Sequence, residues 1–149
     1  MSIIYSKCKQ INFWKTSDLD YILIEGDKHF KTLGFTKSPF VDQFPRSVFV
    51  ENQRITLEFE TLLGEFVSND IAINFIQEES LISSNGALFV IQGYTIAVIN
   101  HKNKFYVFDS HSRDSMGKIV RIGSSVLLQF EDLKAIKHFI RATYESNFF

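Results

Sequence analysis

Three apolar, β-rich runs in close succession, "ALFVIQ", "TIAVINH" and "FYVFDSH", constrain this chain more than any other feature. Each has the length of a strand, and the intervening "GY" and "KNK" leave room only for tight turns, which makes neighbouring strands antiparallel. The runs predict a meander that forms the core of a sheet. A further strand, "SSVLLQF", is expected after the turn region "RDSMGKIVRIG". From Glu131 the spacing predicts a helix with Leu133, Ile136, Ile140 and Tyr144 on one face. Helices packed on an antiparallel sheet define an α+β fold.

Ahead of the meander, residues 17–33 carry a helical stripe of Leu19, Ile22, Leu23, Phe30 and Leu33 that ends before Gly34, with Ser17 as cap and Asp20 three residues on. Gly26 weakens that helix by about 1 kcal/mol. After Pro45 the period changes to two. "SVFVENQRITLEFE" reads as a half-exposed hairpin around "ENQR", with Ile55, Leu57 and Phe59 alternating with polar residues. Residues 71–83 are ambiguous, and Ile76 to Ser80 favour a helix. The turn-rich "TKSPF" and "SSNG" are too short to separate domains, so 1–149 reads as a single domain with room for a real core.

Sixteen basic residues stand against seventeen acidic ones, which argues against generic binding to nucleic acid or to a membrane surface. "MSIIYSKCKQ" holds no hydrophobic stretch of signal length, and Gln92 and Gly93 interrupt the apolar "ALFVIQGYTIAVIN"; the expected location is intracellular, with no membrane span. Cys8 is the single cysteine, so a disulfide framework and a cysteine zinc knuckle are excluded. Any thiol chemistry within the chain falls to Cys8. His101 and His111 flank "KNKFYVF" without a second carboxylate or cysteine at ligand spacing, so neither a metal nor another cofactor is expected. His29 and His138 read as surface residues of helices.

Asp109 and His111 close the third run. Residues i and i+2 of a strand share a face roughly 6.5 to 7 Å apart at Cα, close enough for a carboxylate to reach an imidazole. Such an acceptor fixes the tautomer and leaves the other ring nitrogen as a general base for a thiol or hydroxyl. Asp and His at a strand end also initiate turns and bond the backbone, so the spacing alone leaves both readings open.

"GALFVIQGYTIAVINHKNKFYVFDSHSRDSMG", followed by "SSVLLQFEDLKAIKHFIRATY", resembles the C-terminal half of the cysteine peptidase domain of herpesvirus large tegument proteins and of tegument-like deubiquitinases. "FDSHSRDSMG" is the most specific piece. "FWKTSDLDYILIEGDKHFKTLG" is similar to the family's tryptophan segment, so the resemblance spans about 14–149. It implies a papain-like fold, ubiquitin or a ubiquitin-like protein as partner, and thiol attack on an isopeptide or peptide carbonyl. His111 would be the general base and Asp109 its orienting carboxylate.

The N-terminus departs from that pattern. The family's nucleophilic cysteine opens a long helix ahead of the tryptophan, whereas Cys8 lies six residues before Trp14, and even three helical turns need about eleven residues. Gln10 follows Cys8, where the family's glutamine precedes the nucleophile. "SKCKQINFW" reads as an extended segment in which Lys7 and Lys9 would modestly lower the thiol pKa. The resemblance therefore implies a peptidase fold without its N-terminal catalytic helix, and an apolar sheet face open to a partner or a second copy. A truncated or nucleophile-deficient deubiquitinase, an active one in which Cys8 reaches the site unusually as the nucleophile, or a non-catalytic ubiquitin-binding domain would fit.

Overall fold

The computed structural model describes residues 1–34, 43–58, 84–91 and 93–144. The helix expected within 71–83 lies outside them, as do Phe59 and Gln92. The chain divides into two compact units, Met1–Leu63 and Gly64–Phe149.

The first unit opens with α1 (Ser2–Cys8), a short 3-10 turn (Ile11–Phe13) and α2 (Thr16–Thr32). The extended N-terminal segment read from the sequence is thus corrected to a helix. At seven residues α1 is too short to be stable by itself. Side chains tie it down instead: the Tyr5 hydroxyl donates to Asp18 Oδ1 at 2.8 Å, and Lys9 Nζ lies 2.7 Å from the same oxygen. The Trp14 indole donates to the Lys9 carbonyl at 3.0 Å.

Asp18 also caps α2. Its Oδ2 accepts the Lys15 backbone N–H at 2.6 Å, replacing the Ser17 and Asp20 arrangement expected from the sequence. The buried side of α2 centres on Asp18 and Ile22, while Phe30 and Leu33, placed in the apolar stripe, are exposed. Strands β1 (Ser47–Val50) and β2 (Gln53–Thr56) form the predicted antiparallel hairpin, with Val48 opposite Ile55. Its turn residues Glu51 and Asn52 have φ of 50° and 61°, as a primed two-residue turn requires.

In the second unit β3 (Gly86–Ile91), β4 (Tyr94–His101), β5 (Lys104–Arg113) and β6 (Ser124–Phe130) form an antiparallel sheet in sequence order. The three apolar runs supply β3, β4 and β5, and the β4–β5 turn is again primed, with Lys102 and Asn103 at φ 52° and 61°. Helix α3 (Leu133–Tyr144) begins two residues later than the sequence suggests, where Asp132 Oδ1 accepts the Ala135 N–H at 2.7 Å.

Leu133, Ile136, Ile140 and Tyr144 pack on Ile96, Val98, Phe105 and Val107 as one buried cluster. Each aliphatic side chain so buried contributes roughly 1.5–3 kcal/mol, so this layer rather than any polar contact holds the unit together. The alternate residues Ala97, Ile99, Tyr106 and Phe108 are buried as well, leaving Leu88 and Val90 of edge strand β3 as the sheet's exposed large apolar residues among those described. Among the described residues no helix is long and apolar enough to cross a membrane.

Two glycines shape the return from β5 to β6. Asp114 Oδ1 accepts the Met116 and Lys118 N–H groups, both at 2.9 Å, folding a tight turn around Gly117 at φ 82°. A β-carbon at Gly123 would fall on the Arg113 carbonyl oxygen, a backbone atom that cannot rotate away. At Gly117 it would lie 2.6 Å from Leu128 Cδ1. Gly123→Ala is therefore expected to cost about 3 kcal/mol in chemical unfolding; Gly117→Ala is expected to destabilise as well, because φ 82° strains any residue with a β-carbon and both Leu128 and Phe139 crowd the position. Equal unfolding midpoints for Gly123→Ala and the parent chain would contradict this packing.

Candidate functional site

The register places Asp109 opposite Ile96 of β4 and Val126 of β6, on the sheet face that carries α3. Between Asp109 and Arg113 the pairing with β6 slips: four residues of β5 advance while β6 advances two, from Val126 to Ser124. This bulge re-aims the side chains of residues 110–112, a common device beside functional groups. The pair sits on an inner strand of the sheet, between β4 and β6. Ser110 is exposed, while Asp109 and Arg113 are each 1% exposed.

Asp109 is the hub. Its Oδ1 accepts the His111 backbone N–H at 2.9 Å and lies 2.7 Å from His111 Nδ1. One oxygen thus satisfies both readings of the motif, the backbone-bonding turn and the imidazole partner. Oδ2 accepts Arg113 Nε at 2.6 Å and the Tyr144 hydroxyl at 3.0 Å, and Tyr144 in turn accepts Arg113 Nη2 at 3.0 Å.

Burial opposes ionisation of Asp109, but the His111 N–H, the His111 ring and the Arg113 guanidinium together hold its carboxyl below the usual carboxylate range. As a carboxylate it can only accept, so His111 Nδ1 carries the proton towards it. Nε2 is left as the basic nitrogen, on a side chain that is 36% exposed. The Tyr94 ring meets the imidazole edge-on at 4.9 Å and restricts its rotation.

Arg113 and Tyr144 complete a network that the sequence reading did not assemble. The guanidinium lies 5.0 Å from the Tyr94 ring centre and 5.3 Å from that of Tyr144, within cation–π range. Its Nη1 is buried and has no hydrogen-bond partner among the described residues. Burial and the Asp109 charge raise the Tyr144 hydroxyl pKa, so it remains a donor across the neutral range. One available signal was the arginine two strand positions beyond the histidine; the other was a lone tyrosine closing an otherwise aliphatic helical stripe.

Cys8 belongs to the first unit, as the last residue of α1. Its thiol donates to the Val50 carbonyl at 3.7 Å. Burial, and then the charge of Glu51, push the thiol pKa up, the opposite of the lowering expected from Lys7 and Lys9. Lys9 is engaged by both oxygens of Asp18, and a helix C-terminus offers a thiolate no favourable dipole. Of the other histidines, His138 is exposed, His29 half-buried, and His101 keeps a buried Nε2 with no partner among the described residues. Among those residues no three His, Cys, Asp or Glu side chains gather as a metal site would require.

These features define an α+β chain whose sheet bears a buried carboxylate shared by an imidazole, a guanidinium and a phenol. The family described as Herpesvirus tegument protein, N-terminal conserved region, matches residues 1–147, and the chain belongs to that family. The match takes in the residues ahead of Trp14, Cys8 among them. No curated protein matches the chain.

Proposed function

We propose that this chain is a cysteine-peptidase domain of papain-like ancestry acting on ubiquitin conjugates, in which Asp109 and His111 are the orienting carboxylate and the general base. The observation that carries the reading is the 2.7 Å contact between Asp109 Oδ1 and His111 Nδ1, which leaves the other ring nitrogen on a part-exposed imidazole. In this chemistry Nε2 takes the proton of the attacking thiol as sulfur bonds to the carbonyl carbon. The imidazolium then returns that proton to the departing lysine amine, and water cleaves the thioester.

A second reading is favoured by the surroundings of Cys8. A thiol whose pKa is raised and which donates to a carbonyl is a poor nucleophile. That environment speaks against cleavage by this thiol, and the reading consistent with it is a domain that binds ubiquitin without cleaving its conjugates.

Ubiquitin bearing a thiol-reactive electrophile at its C-terminus separates the two. The peptidase reading expects a covalent adduct that disappears in Cys8→Ala and forms about 100-fold more slowly in His111→Ala. The binding reading expects no adduct, with saturable ubiquitin binding by calorimetry that survives Cys8→Ala. Absence of both adduct and binding removes both readings.

A further inference from the structure

We infer that Arg113 is a positioning residue that keeps His111 in its neutral, proton-accepting form, with Tyr144 as its relay to Asp109. This rests on the general-base reading of His111 for its catalytic meaning, but the charge balance can be measured without any reaction.

A buried carboxylate next to an imidazole would by itself draw a proton onto the ring, since the pair is then an ion pair in a medium that screens poorly. An imidazole already protonated cannot act as a base. Here Asp109 Oδ2 is taken up by Arg113 Nε at 2.6 Å and by the Tyr144 hydroxyl at 3.0 Å, so the carboxylate is neutralised on the side away from the ring. Oδ1 remains to accept from His111 Nδ1. The arrangement directs the ring through a hydrogen bond while Arg113 offsets the charge that would protonate it.

Simple packing does not account for the arginine. It is 1% exposed and its Nη1 has no partner among the described residues, a costly way to fill space. Its position is nonetheless fixed from three elements: Asp109 on its own strand, the Tyr94 ring from β4 and the Tyr144 ring and hydroxyl from α3. Among the described residues, the titratable and charged groups in contact with the imidazole and its carboxylate are Arg113, Tyr94 and Tyr144, and the β6 residue facing Asp109 is Val126.

The test is an NMR titration of the His111 ring nitrogens in the full chain, with His111→Gln assigning the signals. Arg113→Gln removes the charge, and the ring is expected to take up its proton about one pH unit higher than in the parent chain. Arg113→Lys restores the charge and should return the titration towards that of the parent. Tyr144→Phe removes one of the two donors to Oδ2 and should produce a smaller upward shift.

An unchanged or lowered midpoint in folded Arg113→Gln overturns the proposal, as does Arg113→Lys titrating like Arg113→Gln. If Arg113→Gln does not fold, Tyr144→Phe decides alone, and an unshifted midpoint there overturns it. Failure of the ubiquitin probe with these shifts intact would remove the deubiquitinase reading and leave the charge balance standing. Reaction with the probe but no shifts would do the reverse.

Discussion

Asp109→Ala is expected to destabilise the second unit by about 3–5 kcal/mol, the cost of leaving the partner of a buried ion pair uncompensated. Arg113 is 1% exposed and would lose the carboxylate that is its counter-charge among the described residues, while the Tyr144 hydroxyl would lose the oxygen to which it donates. His111→Ala removes a part-exposed ring and should cost less than about 1 kcal/mol. The comparison is made by urea unfolding followed by a probe in the second unit. Equal losses for the two variants would mean that Asp109 does not organise the network. The pH dependence has a definite sign: because the folded carboxyl titrates below the usual range, its contribution is present above about pH 4 and is lost as pH falls through the folded value. Asp109→Ala should therefore lose less stability than the parent chain on acidification below pH 4.

The sheet was legible because its information is local. Apolar runs of strand length separated by two or three polar residues admit one pairing, and β3, β4 and β5 follow it. The aliphatic face of α3 was legible for the same reason. Asp109 and His111 could be joined because they lie two residues apart on one strand. Arg113 and Tyr144 could not, since 31 residues separate the guanidinium from the hydroxyl it meets. An arginine after an apolar run reads as solvated, and Tyr144 counted only as part of an apolar stripe. The helical state of Ser2–Cys8 was hidden differently. No capping side chain or first-turn acid marks its start, and long-range bonds to Asp18 hold it in place of intrinsic propensity. Phe30 and Leu33 carry the converse lesson: an apolar period specifies a face, but the partner determines where along the helix burial stops.

Asp18→Ala is expected to destabilise the first unit by about 2–3 kcal/mol, and the three interactions lost do not weigh equally. The Tyr5 hydroxyl is on a buried residue, so removing its acceptor leaves a desolvated donor and accounts for most of the loss. The Lys15 N–H at the start of α2 loses its capping oxygen, a further contribution of about 1 kcal/mol. Lys9 can turn its ammonium into water, because its side chain is 38% exposed, so the salt bridge adds little. Asp18→Asn retains one acceptor and should fall between alanine and the parent. Burial opposes ionisation of Asp18, but its bonds to Lys9, Lys15 and Tyr5 lower the carboxyl pKa overall, so this stabilisation too is present above about pH 4 and fades on acidification. Hydrogen exchange resolves the consequence in space: Asp18→Ala should raise exchange at the amides of α1 and the first turn of α2. If protection of α1 were unchanged in Asp18→Ala, the short helix would have to be held by packing alone, and the role given to the buried carboxylate would be wrong.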